Sequence, residues 1–259
     1  GRNRKSAEGI NHDFLSWLDT KPRDDPFFVF LNYFDAHTPF VVPDNTRPHF
    51  GLSPMNPQDL DILTQWESRP KHNVSDHEIT LIRDSYDDCI AYLDEHLGKL
   101  FDSLEERGVL KDTLVIVTAD HGEQLGEHGL YGHGRSLYSQ ELRVPLLIVP
   151  PGGLSEAKVV TTPVSLRDLP TTIVDLVSAE APTPFPGGSL ASLWQGSRSE
   201  GESPISDVVG EVSLRKLISK NPNRAPAWRG PMSSLVAEGA SLIRNADGRK
   251  ELYDVEQDL

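Results

Sequence analysis

The sequence predicts an α/β sandwich with a small antiparallel β subdomain at its C-terminal end. Short apolar runs bounded by turn residues recur along the chain, and helical patterns carrying an apolar stripe lie between them. Near the end the pattern changes to brief strand-like stretches joined by tight turns. The length, 259 residues, suits one large domain or one domain with a small appendage. The α/β core is expected over residues 1–196 and the antiparallel subdomain over 197–259.

A first helix around residues 11–18 feeds the first apolar run, 27–34, rich in phenylalanine. The other two runs are 114–118 and 145–149. None alternates cleanly between apolar and polar, the pattern of a strand covered on both faces in a parallel or mixed sheet. Between the first two runs a long helix is predicted over 79–107. Its stripe is Tyr86, Cys89, Leu93, Leu97, Leu100 and Leu104, with Asp76 as N-cap and Gly108 just past the C-terminus. Asp168 and Pro170 mark the start of another helix, which turns Ile173, Leu176 and Val177 inward. Residues 39–73 are proline-rich and polar, with one short helix expected near 59–66. Such an excursion after a strand is either an active-site lid or an ordinary surface loop. Pro182, Pro184, Pro186, Gly187 and Gly188 form a turn-rich connection, and 196–203 reads as a flexible loop. The tail predicts strands at 235–238, 241–244 and 251–254, with a turn at 245–248. No internal repeat is present.

Composition excludes several functions. Lys plus Arg is 25 and Asp plus Glu is 39, a net charge of −14. Nucleic-acid and anionic-membrane partners are therefore not expected, since both need a basic face. One cysteine rules out an internal disulfide and a Cys-based zinc module. No apolar run approaches the roughly 20 residues of a membrane span, and the basic start Gly1-Arg2-Asn3-Arg4-Lys5 has no apolar segment behind it. A soluble, acidic, globular chain is expected.

The strongest chemical signal is Thr118-Ala119-Asp120-His121-Gly122-Glu123. Asp120 and His121 follow a buried strand, where open α/β sheets build their sites. A carboxylate and an imidazole side by side there can reach one divalent cation, and Gly122 lets the backbone turn away. The alternative is an Asp-His pair capping the next helix. Residues 126–135 form a loop with four glycines, carrying His128, His133 and Arg135 as possible donors to an oxyanion. His37 follows the first run in Asp35-Ala36-His37, as His121 follows the second, so the two histidines could share a site.

Together these segments resemble the sulfatase family of the alkaline-phosphatase superfamily. The resemblance rests on His37-Thr38-Pro39 after its apolar run, the Asp120–Glu123 block, and Leu125-Gly126-Glu127-His128-Gly129. Val144-Pro145-Leu146-Leu147, Asp168-Leu169-Pro170-Thr171 and the closing Glu251-Leu252-Tyr253-Asp254 continue it in the family's order. It implies an alkaline-phosphatase-like α/β/α sandwich and metal-dependent hydrolysis of small anionic esters, sulfate above all. It further implies Asp120 and His121 as ligands of one divalent metal, calcium first, with manganese or another ion open. His37 would contact the ester and protonate the leaving oxygen. His133 stands where many relatives have a lysine that binds the sulfate oxyanion, with Arg135 as an additional donor. The family's nucleophile is a formylglycine made within Cys/Ser-x-Pro-x-Arg, a motif this chain lacks. Cys89 lies on the helical stripe and reads as core. The resemblance thus implies a C-terminal portion whose N-terminal partner carries the nucleophile, inactive or poorly soluble alone. Relatives are commonly exported, to the periplasm or beyond. Two other functions stay open: a phosphate or phosphonate ester hydrolase or phosphoglycerol-type transferase of the same superfamily, and a non-catalytic sulfatase-like module.

Overall fold

The computed structural model describes residues 4–22, 25–43, 46, 49–50, 56–153, 156–179, 185–195, 205–208 and 225–258. The expected loop at 196–203 and Pro182 and Pro184 lie outside them. The chain divides into two compact units, residues 1–109 and 110–259.

In the first unit, three helices start at side-chain caps. α1 (Ala7–Leu18) begins at Ser6, which accepts from the Gly9 N–H. α2 (Pro57–Gln65) begins at Asn56, which accepts from Asp59. α3 (Asp76–Glu106) begins at Ser75, not at Asp76: Ser75 Oγ accepts from the Glu78 N–H, and Glu78 Oε2 accepts from the Ser75 N–H. This reciprocal pair satisfies two backbone donors at once, and Asp76 remains in the first turn as a favourable anion. Gly108 follows the helix with φ +70°, a left-handed C-terminal residue, as the sequence predicts.

The buried stripe of α3 is rotated from the expected one. Leu81, Ile82, Ser85, Asp88, Cys89, Tyr92, His96, Leu100 and Leu104 are buried, whereas Tyr86, Leu93 and Leu97 are half-exposed. The Asp88 carboxylate can lie inside here because it has partners. Asp88 Oδ1 accepts from the N–H groups of His49 (2.6 Å) and Phe50 (3.0 Å), and Asn11 donates to the His96 carbonyl at 2.8 Å. Cys89 is core, as expected, and burial followed by the charges of Asp35 and Asp88 pushes its thiol up to about 12.

The run at 27–34 pairs with no other strand among the described residues, which corrects the expected buried strand. Burial alternates residue by residue, the period of extended chain. Phe27, Val29, Leu31 and Tyr33 turn inward: Phe27 meets the Trp17 ring edge-on, and Tyr33 Oη donates to Asn11 Oδ1 at 2.7 Å. Phe28 and Phe30 point out, 78% and 79% exposed. Both faces are apolar in sequence, so the run could not show that only one is covered.

In the second unit, β1 (Val115–Thr118) pairs antiparallel with β4 (Leu146–Val149). Between them lie a short hairpin of β2 (Gln124–Leu125) and β3 (Tyr131–Gly132), and one helical turn, α4 (Ser139–Leu142). α5 (Leu169–Leu176) and the short α6 (Ser192–Gln195) follow. α5 carries Pro170 in its first turn as expected, but Asp168 makes no cap bond to it. Asp168 instead accepts from Ser165 and Gly188. Thr172 is the buried residue of α5, while Val177 is exposed.

The C-terminal strands form one antiparallel sheet in the order β5 (Ile205–Val208), β6 (Met232–Ala237), β7 (Ala240–Arg244) and β8 (Lys250–Asp254). A core of Leu130, Leu137, Tyr138, Met232 and Ile243, with Tyr253 against it, joins this sheet to the segments on either side of β3.

Ser75→Ala removes the reciprocal cap of α3. It is expected to lower stability by about 1 kcal/mol, seen as an earlier urea midpoint at unchanged slope; an unmoved midpoint counts against the cap.

Candidate functional site

The site residues of the second unit descend from the end of β1. Asp120 stands two residues beyond it, and its side chain is 90% exposed. No helix starts at this pair, so the helix-cap alternative fails; Asp120 Oδ1 accepts from the next N–H, that of His121, at 3.0 Å. The His121 ring places Nδ1 2.8 Å from the Gly122 carbonyl. A carbonyl only accepts, so Nδ1 carries the proton and the neutral ring keeps its lone pair on Nε2. That nitrogen lies 3.8 Å from Asp120 Oδ2. One ion with bonds of about 2.0–2.6 Å can touch both atoms.

As a donor set the pair fits half of a metal site. Among the described residues no group of three or more His, Cys, Asp or Glu gathers for a cation, and catalytic sites usually take at least three protein ligands.

Gly122 is required for a different reason from the sharp turn the sequence suggests. Its N–H donates to the Glu141 carbonyl at 2.8 Å, and a Cβ there would overlap the Gln140 carbonyl oxygen. The absent side chain lets the backbone after β1 lie directly against α4.

The glycine-rich loop brings His133 to His121. Their rings stack with centroids 4.1 Å apart and planes at 30°. His133 Nδ1 lies 3.0 Å from Glu123 Oε2, and the Glu123 side chain is only 6% exposed. This hydrogen bond raises the His133 pKa above the ordinary histidine value; burial opposes it, and the charges of Glu123 and Glu141 reinforce it. The other Glu123 oxygen, Oε1, is buried without a hydrogen-bond partner among the described residues. Arg135 turns back along its own loop, donating to the Tyr131 carbonyl at 2.6 Å. His128, the loop's other histidine, lies elsewhere: its ring stacks on Tyr138 at 3.8 Å.

His37 belongs to the first unit. Its Nδ1 lies 2.9 Å from the Thr38 carbonyl, before a cis Thr38–Pro39 bond. The Arg4 guanidinium holds that turn, donating to the carbonyls of Phe34 (3.2 Å), His37 (2.9 Å) and Pro39 (3.1 Å).

Sequence reasoning missed the roles of Glu123, Glu141 and Arg4. Glu123 stands inside the recognised block, and a signal existed: it lies two residues beyond His121, able to face the same loop. Glu141 and Arg4 carry no local pattern.

A mixed α/β chain with these loops beyond a strand and a small antiparallel sheet at its C-terminal end fits the alkaline-phosphatase-like superfamily. The chain belongs to the sulfatase family, whose family model matches residues 4–179. It is 30% identical over 199 residues to the uncharacterized sulfatase YidJ of Escherichia coli, covering 72% of this chain and 39% of that protein. It is 29% identical to the choline-sulfatase of Rhizobium meliloti, covering 75% and 40%. The chain therefore spans about two-fifths of the length of these curated relatives. Among solved structures, the phosphonate monoester hydrolase of Agrobacterium radiobacter superposes with a TM-score of 0.70 at 21% identity, over 98% of this chain and 56% of that one. This likeness bears out the expected fold class, including the small antiparallel sheet at the C-terminal end.

Two outcomes check this geometry. In chelator-treated protein, the His133 ring should titrate above the ordinary histidine range by NMR. Glu123→Gln should bring it back down; an unchanged titration would sink the pairing. Gly122→Ala should cost about 2 kcal/mol, as overpacking against backbone does, read as a lowered melting temperature.

Proposed function

We propose that this chain belongs to a metal-dependent hydrolase of small sulfate esters, with Asp120 and His121 as ligands of one divalent cation, calcium or manganese being the candidates. Membership in the sulfatase family supports the reaction class. The observation that supports the reading is the stack of His133 on His121: in this reading the anion donor lies directly beside the metal pair.

Charge explains why a cation belongs there. Between residues 120 and 141 stand four carboxylates, those of Asp120, Glu123, Glu127 and Glu141, and one guanidinium, Arg135. Even with His133 protonated, that stretch repels a sulfate ester. A bound divalent cation supplies the positive charge that the ester oxygens need. His133, held toward its imidazolium form by Glu123, donates to a sulfate oxygen. Arg135 is a further donor, and His37 is the acid for the leaving alcohol oxygen. The chain holds no Cys/Ser-x-Pro-x-Arg sequence. Its residues account for ion binding, charge neutralisation and leaving-group protonation, and the family's formylglycine would supply the attack.

A second reading, hydrolysis of phosphate or phosphonate monoesters, is favoured by the histidine at 121, where many calcium-dependent sulfatases carry asparagine. The full-length protein assayed on aryl sulfate beside aryl phosphate and phosphonate separates the two. Preference for sulfate is expected, and preference for a phosphoryl ester would move the assignment. His133→Ala should lower kcat/KM on the order of 10²-fold, and His121→Ala should lose bound metal by elemental analysis. No turnover of any ester together with no stoichiometric metal would leave a binding module. Expressed alone, this chain should not turn over aryl sulfate; robust metal-dependent turnover by it would overturn the division of roles.

A further inference from the structure

We propose that Glu141 is the positioning residue that fixes the His133–Ser136 loop against the Asp120-His121 pair. The inference rests on the proposed function and adds a residue to it. Glu141 lies on the single turn α4, buried at 5% exposure, and both halves of the residue are engaged. Its side chain holds the loop: Oε2 accepts from the N–H groups of Gly134 (2.6 Å) and Arg135 (3.1 Å), and Oε1 accepts from Ser136 Oγ (2.8 Å). Its own carbonyl accepts from the N–H of Gly122, the residue after His121, at 2.8 Å. One residue thus spans the two segments whose histidines stack.

Two consequences follow from the bond directions. The Gly134 and Arg135 N–H groups turn inward to a carboxylate, so they are spent on the loop's shape and not offered to a ligand. The anion donors of the loop are therefore side chains, His133 and Arg135, and their placement depends on the carboxylate beneath them. The side chain also acts as an acceptor twice over at Oε2, which an apolar group cannot reproduce. Burial raises the Glu141 carboxyl, and the three hydrogen bonds oppose that rise.

The test uses the full-length protein, uniformly isotope-labelled, and compares Glu141→Leu, Glu141→Asp and Glu141→Gln. The Asp variant keeps the charge but withdraws it by one methylene, so it decides the matter if the Leu variant does not fold. Leu and Asp should abolish the NOE between the His121 and His133 rings and move the Gly134 and Arg135 amide protons upfield. On aryl sulfate, KM and the inhibition constant of inorganic sulfate should rise about tenfold and kcat/KM should fall on the order of 10²-fold, the usual cost of a displacement near 1 Å. Bound metal should stay constant, because the backbone bond to Gly122 survives every substitution. The Gln variant can present its amide oxygen to the two N–H groups and its NH₂ to Ser136 Oγ, so it should restore the NOE and most of the sulfate affinity. A loss of stability alone, with NOE and sulfate inhibition unchanged in the folded variants, overturns the proposal. If the wild type turns over no sulfate ester, the functional reading fails, while the ring contact still decides whether Glu141 positions the loop.

Discussion

The site depends on one close approach, that of the Gly122 backbone to the backbone of α4. The N–H of Gly122 reaches the Glu141 carbonyl only because no Cβ separates the segments. From that contact the rest follows in both directions along the chain. His121, one residue earlier, is left with Nδ1 on the Gly122 carbonyl and Nε2 near Asp120. Glu123, one residue later, goes inward and meets His133. A side chain at 122 would separate β1 from α4 and remove the geometry by which two distant stretches present adjacent histidines.

The electrostatics are arranged around that junction. In this acidic chain a buried carboxylate stands behind an imidazole. Glu123 sits behind His133 and favours its charged form. Buried partners strengthen this effect, since a charge pair out of water is screened little. The cost is a surplus of negative charge near the site, with Asp120 exposed at the front. Under the proposed function, that surplus would tie anion binding to cation binding, since neither His133 nor Arg135 offsets the local carboxylates alone.

Much of this was legible in the sequence where local pattern and structure share a cause. β1, β4 and the strands of the tail lie close to their expected positions, because β-branched and aliphatic runs bounded by turn residues have few alternatives. The Asp120-His121 pair at the end of a strand and the His133 loop were visible as residue types in a topological position. Three features were hidden for physical reasons. The stripe of α3 includes Ser85, Asp88 and His96, so hydropathy points to the wrong face, and the distant bonds from the His49 and Phe50 N–H groups account for the buried carboxylate of Asp88. The 27–34 run is apolar on both faces, which conceals its one-sided covering. Glu141 and Arg4 act through bonds to backbone groups of other segments, and such acceptors and donors leave no periodic trace.

The C-terminal motif shows how a strand can matter to a site without entering it. On β8 burial alternates, so Glu251 and Tyr253 share the inner face while Leu252 points out. Glu251 Oε2 accepts from Tyr253 Oη (2.6 Å) and Tyr138 Oη (3.2 Å), and its Oε1 accepts from Asn245 (2.6 Å) and pairs with Arg249 (3.0 Å). Tyr138 is the residue immediately before α4, and the ring of His128 stacks on it. The final hairpin is thereby tied, through a phenol and a carboxylate, to the start of the turn that carries Glu141. Each partner is needed because the others are largely withdrawn from water, where an unmatched hydroxyl or carboxylate costs more than its bond contributes. The Glu-Leu-Tyr-Asp ending therefore has a physical reason to accompany the Asp-His-Gly-Glu block: one holds the turn against which the other is pressed.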